Sequence, residues 1–85
     1  MNLHLNDISI PASGIVGLFD LDAITVEKTT RDTLNRAQAE GSLTDCCNGE
    51  LPRSLVLAKK AGNGYVYYLA APNTSTLHKR MSSFL

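Results

Sequence analysis

Apolar and polar residues alternate from Asn2 to Ile10, with Leu3, Leu5, Ile8 and Ile10 among polar neighbours and one slip of phase at Asn6-Asp7. A period of two places alternate side chains on one face, so the pattern predicts two short strand pieces around a turn or bulge. Pro11 cannot extend a ladder, and Pro11-Ala12-Ser13-Gly14 has turn chemistry. Ile15-Val16-Gly17-Leu18-Phe19 then runs apolar on both faces before Asp20-Leu21-Asp22, which predicts a strand at the centre of a sheet. From Thr25 the period lengthens: Thr30, Thr33, Leu34 and Ala37 fall at i, i+3, i+4 and i+7, with Arg31, Asp32, Asn35, Arg36 and Gln38 around the other side. The spacing predicts one helix ending near Glu40, with Thr29 and Asp32 as a capping box and Gly41 in the left-handed position beyond its end.

Ser42 to Cys47 has strand character, Asn48-Gly49 is a hairpin-type turn, and Leu51-Pro52 lengthens the connection to a strand over Ser54 to Lys60. Ala61-Gly62-Asn63-Gly64 predicts another turn, and Tyr65 to Ala70 carries the aromatic and β-branched residues that favour a pleated surface until Pro72 stops it. Thr74 to Leu85 has helical spacing for a turn or two, with Leu77, Met81, Phe84 and Leu85 as apolar contacts. The predicted class is α+β: a small, twisted, mainly antiparallel sheet of four to six short strands, one central helix, and a short C-terminal helix or tail. Residues 1–73 make one domain and 74–85 the tail or short helix.

An 85-residue chain fits one such domain, and 44% hydrophobic with 19% charged residues is the composition of a packed one. A core this small is marginal alone, and the adjacent Cys46 and Cys47 cannot build a cross-linking framework. One helix covers one face of a sheet whose strands are apolar on both faces, so the second face is expected to be buried in a homo-oligomer, with Ile15, Leu18, Phe19, Tyr65 and Tyr67 as interface candidates. The alternative is that the N-terminal strands curl over that face. No run approaches a membrane span, and the start lacks the basic and apolar segments of a signal peptide, so the expectation is a cytoplasmic protein with no membrane contact.

Eight basic and eight acidic residues give a formal net charge of zero, which excludes a polybasic nucleic-acid binder acting through bulk charge. Neighbouring cysteines on a strand point to opposite faces, one inward and one outward, which suits neither a metal clamp nor a redox pair. His4 and His78 lie near opposite ends of the chain, Asp20, Asp22 and Asp45 read as strand ends, and Gly62 and Gly64 make a turn without a helix to aim amides at phosphate. No catalytic residue, metal or cofactor is therefore expected. Arg31, Arg36, Lys59 and Lys60 each read as solvated surface, but a closed ring repeats any basic patch and can hold double-stranded DNA by avidity. Arg53 and the tail cations His78, Lys79 and Arg80 are the first DNA-binding candidates. Tyr65, Tyr67 and Tyr68 could stack bases, though packing is the preferred reading.

Met1-Asn2-Leu3-His4-Leu5, the run Ile15 to Asp22, Thr30-Arg31-Asp32 with Leu34 and Glu40-Gly41, then Asp45, Pro52-Arg53-Ser54 and Ser75 to Arg80 together resemble the extracellular matrix regulatory family of RemA and RemB. The order and spacing cover nearly the whole chain, and the start, the Phe-Asp-Leu-Asp strand end and the Ser-Thr-Leu-basic tail are closer to its RemB-like members. The resemblance implies a bacterial, ring-forming, non-enzymatic regulator in transcriptional control of biofilm matrix genes. RemA-like sequences carry two DNA-contacting arginines after the loop glycine and another before the central strand. Those places hold Glu50, Leu51 and Gly14 here, and Arg53 is the basic position kept. The resemblance also admits an assembly or adaptor subunit that acts on a related regulator protein through protein contacts.

Overall fold

Six strands and three helices carry these patterns in a computed structural model, which describes residues 2–6, 8–60 and 62–82. Asp7, Ala61, Phe84 and Leu85, used in the sequence expectations, lie outside the described residues. Strands β1 (Asn2–Leu5) and β2 (Ile8–Pro11) pair antiparallel with Leu5 opposite Ile8, so the slip of phase falls where the chain passes from one strand to the other. Asn6 holds φ 53° there, a left-handed conformation that asparagine tolerates, and its side-chain amide donates to the Cys46 carbonyl, tying the hairpin to the body. A 3-10 turn (Ala12–Gly14) leads into β3 (Ile15–Asp20), followed by α1 (Leu21–Ile24), α2 (Lys28–Ala39), β4 (Leu43–Asp45), β5 (Ser54–Lys59), β6 (Tyr65–Ala70) and α3 (Thr74–Ser82).

The main sheet has the order β3-β5-β6-β4, antiparallel except for the parallel β4–β6 pair. β3 is therefore an edge strand, not the central one its apolar run predicted. The reason is topological: β5 and β6 form a tight hairpin, β4 takes the far side of β6, and the open side of β5 is what remains for β3. A bulge at Val16 shifts the register, with Ile15 opposite Ala58 and Gly17 opposite Leu57. The Phe19 ring lies over Gly17, where an added methyl would meet it at 3.0 Å. Likewise Asn48-Gly49 makes a tight turn, with φ 52° and 88° and a Glu50 N–H bond to the Cys47 carbonyl, but the strand after it does not return alongside β4.

The helix ends as its glycine predicted: Gly41 at φ 77° donates to Gln38, and Ser42 donates to Ala37. Its start differs. Thr29 sits inside α2 with its carbonyl accepting from the Thr33 hydroxyl, and Asp32 pairs with Lys28 at 3.1 Å, so no Thr29–Asp32 capping box forms. The preceding turn is held instead by Arg31, whose Nη1 donates to the Thr25 and Val26 carbonyls at 2.8 and 3.2 Å. The short α1 was not foreseen; Asp20 caps it by accepting the Asp22 N–H at 2.9 Å, and Leu21 is buried.

The hairpin and α3 cover one sheet face, and α2 overlies part of the other. Val56, Ala58 and Ala70 pack with Leu3, Leu5 and Ile10 of the hairpin, Cys46, and Leu77 of α3, while Ile15, Leu18 and Tyr68 close the rim. The N-terminal strands thus lie over the face expected to be bare, as a separate two-stranded sheet, and α3 joins them in one core. By alternation Leu55, Leu57, Phe19 and Tyr67 occupy the opposite face, where they line a groove with Thr30 of α2. The fully buried Ser54 is satisfied by donating to the Pro72 carbonyl at 2.6 Å. A radius of gyration of 12.3 Å matches the roughly 12 Å of a compact domain this long.

Leu77→Ala removes a fully buried side chain from the joint of α3 with the hairpin and should cost about 2–5 kcal/mol in urea denaturation. Gly41→Ala forces a Cβ into φ 77° and should cost about 1 kcal/mol. Leu51→Ala, at a residue 78% exposed, should stay within about 0.5 kcal/mol; equal losses at all three positions would contradict this core.

Candidate functional site

Arg53 sits where two sequence-distant segments meet. Asp20 pairs with Ser54 across β3 and β5, and the Leu21 N–H donates to the Arg53 carbonyl at 3.0 Å, while the Arg53 N–H donates to Ala70 at 2.9 Å. The exposed Arg53 side chain borders an open depression of about 270 Å³ shared with Asp20, Asp22, Leu51, Pro52 and Asn73, and a second one with Glu50 and Ala71. One guanidinium therefore stands among three carboxylates. In the sequence Asp20 and Asp22 read as strand ends about thirty positions before Arg53, whereas Glu50 stands three residues before it. What brings the two aspartates to Arg53 is the β3–β5 register, which no local pattern reveals.

Asn73 caps α3 by accepting the Thr76 N–H at 2.9 Å, so the helix starts beside the Arg53 depression. His78, Lys79 and Arg80 are exposed on its later turns, and none of them lines either depression around Arg53. Lys79 lies about 9 Å along the helix axis from Asn73. With Leu77 turned into the core, the three consecutive cations spread over about 200° of the helix, with Lys79 pointing most directly outward, and do not form one row.

The five interface candidates separate in the same way. Ile15 and Leu18 face inward against the core, whereas Phe19, Tyr65 and Tyr67 lie on the α2 side of the sheet. Val16, passed over in the sequence, is 53% exposed on the bulge of the edge strand, beside Phe19 at 39%. Ile24, Leu55 and Leu57 extend this apolar surface into a groove of about 200 Å³. Arg36 and Lys60, which read as separate solvated cations, line one cleft between α2 and the β5–β6 turn together with Tyr65 and Tyr67. The available signal was the predicted turn itself, which brings Lys60 back beside Tyr65; the arrival of Arg36 is tertiary.

β4 stops at Asp45, so Cys46 and Cys47 lie past the strand and do not alternate in and out. Both are buried, because the Cys47 N–H turns back onto the Asp45 carboxylate at 2.9 Å and the Cys46 N–H reaches the Leu69 carbonyl. Burial raises the Cys46 pKa, with the Asp45 charge adding to it. Burial and a hydrogen bond to Asp45, with charges of Asp45, Cys46 and Glu50, push Cys47 up to about 12. No group of three or more His, Cys, Asp or Glu able to hold a metal occurs among the described residues, and none of their helices is long and apolar enough to cross a membrane. Set against models of protein families and against curated proteins, the chain matches none.

The raised thiol values carry a pH dependence. Between the ordinary value of 9.0 and about 12, the folded chain keeps a Cys47 proton that the unfolded chain has released. That contribution to stability is full below pH 9 and is lost as pH rises toward about 12, a decline that Cys47→Ala should flatten in denaturation curves. At neutral pH iodoacetamide should label the native thiols far more slowly than the unfolded ones; equal rates would contradict their burial.

Proposed function

We propose that the chain is a non-enzymatic, self-associating bacterial regulator of the extracellular matrix regulatory type, which acts through surfaces that its assembly repeats. The observation that carries this reading is the β3 edge. Ile15 to Phe19 is free of charged side chains, ends the sheet, and exposes Val16 as well as Phe19, which lines an apolar groove. Unprotected edges of this kind pair with further strands, and a second copy of the chain is the partner that supplies a matching one. Both thiols are buried and shifted away from the thiolate a nucleophile needs, which supports a role without catalysis.

In this reading a ring presents Arg53, His78, Lys79 and Arg80 to DNA once per subunit in the control of matrix genes. A second reading, an adaptor that modulates a related regulator through protein contacts, is favoured by Asp20, Asp22 and Glu50 around Arg53. Those carboxylates repel phosphate and would suit a basic protein surface.

Light scattering behind size-exclusion chromatography should give a mass several times 9.2 kDa, which Val16→Asp should reduce toward one chain. With a short duplex, DNA retention should fall as salt rises, and removing one phosphate-contacting cation should lower the salt slope by about 0.9. Lys79→Ala should have that effect if α3 contacts the duplex. An assembly blind to DNA at low salt would select the adaptor, and a monomer unchanged by Val16→Asp would sink both readings.

A further inference from the structure

We propose that the cleft between the last turn of α2 and the β5–β6 turn is a nucleotide site, with Arg36 and Lys60 on the phosphate and Tyr65 stacked on the base. The cleft encloses about 340 Å³, within the range of small-ligand pockets. Its floor is Ala37, a buried residue too small to fill it. Lys59 pairs with Tyr65 across the hairpin, and the Lys60 N–H donates to the Gly64 carbonyl at 3.2 Å, so Lys60 and Tyr65 are set side by side by the turn. Arg36 arrives from the last turn of α2.

Three features select a nucleotide. Neither Arg36 nor Lys60 forms an ion pair among the described residues, so two unpaired cations share a cleft with one carboxylate, Glu40. A phosphate oxygen answers both. Tyr65 is 49% exposed beside them, and an exposed aromatic residue next to a cation is the arrangement on which bases stack. Glu40, with the Thr33 and Ser42 hydroxyls and Asn63, completes the lining. A carboxylate there disfavours bare phosphate but accepts from ribose hydroxyls or an exocyclic amine, so the polar set fits an anion that also carries donors. This separates the cleft from the Arg53 depression, where carboxylates outnumber the guanidinium.

Strand β5 separates Tyr65 from the β3 edge by about 10 Å across the sheet, while Tyr67 lines both the cleft and the apolar groove beside β3. The nucleotide could be free in solution or belong to a single strand; the phosphate-and-base chemistry is the same.

The test is a titration of the full, nitrogen-15-labelled chain followed by amide shifts, with adenosine monophosphate, inorganic phosphate and a single-stranded oligothymidylate as probes. Adenosine monophosphate should shift Arg36, Asn63, Gly64 and Tyr65 saturably, with Kd of about 0.1–1 mM. Arg36→Gln or Lys60→Gln should each weaken it about tenfold. Tyr65→Ala should weaken the mononucleotide about fivefold or more while leaving inorganic phosphate unchanged. Lys28→Gln, at the opposite end of α2 from the cleft, should leave all three probes unaffected, and preserved spectral dispersion shows that each variant folds. Tighter binding of the oligothymidylate assigns the site to single strands, and equal or weaker binding assigns it to free nucleotides. Absence of shifts at Gly64 and Tyr65, or phosphate binding as tightly as the mononucleotide, overturns the proposal.

Discussion

The structure depends on the enclosure of β5. Strands flank both its edges, and Ser54, Leu55, Val56 and Ala58 are buried, with Leu57 half-buried and Lys59 emerging at the end. The hairpin and α3 cover Val56 and Ala58, while Leu55 and Leu57 turn toward the face that α2 overlies. Such a strand has little freedom of register, because a slip by one residue would carry Ser54 out of reach of the Pro72 carbonyl and reverse both apolar sets. Fixing that register fixes where its two ends place charge.

At its start lies Arg53 among Asp20, Asp22 and Glu50; at its end lie Lys59 and Lys60, with Arg36 brought beside Lys60 by α2. Six residues of strand separate the ends by about 20 Å. That exceeds the Debye length of about 8 Å at physiological ionic strength, so the two ends act as separate electrostatic sites. A net charge of zero thus conceals an acidic end and a basic end, and whole-chain charge is a poor guide to what either attracts.

This explains what the sequence made legible. Strands with a period of two, the helix stop at Gly41, the Pro72 stop and the C-terminal helix depend on near neighbours and could be read in order. Partners across the sheet could not. The apolar run Ile15 to Phe19 has the composition of a central strand, yet its place at the edge follows from which strands had already paired. The thiols fail for a related reason: an Asx turn at Asp45 ends the alternation that would have sent one outward. Arg53 was legible as an exposed cation, but Asp20 and Asp22 reach it through the β3–β5 register, and Arg36 reaches Lys60 through helix packing.

The same geometry bears on how a repeated assembly could use its cations. Avidity multiplies whatever each subunit presents, sign included. Around Arg53 each copy adds more carboxylate than guanidinium, so closing a ring there multiplies repulsion toward phosphate along with the contact. His78, Lys79 and Arg80 project from a helix anchored by Leu77 and lie outside those acidic depressions, so repetition favours α3 as the face toward a polyanion. A protein partner reverses the preference, since a basic surface would seek the Asp20, Asp22 and Glu50 end. The choice between DNA and protein as the partner of the proposed assembly therefore reduces to whether the closed form turns outward the α3 cations or the acidic depressions around Arg53.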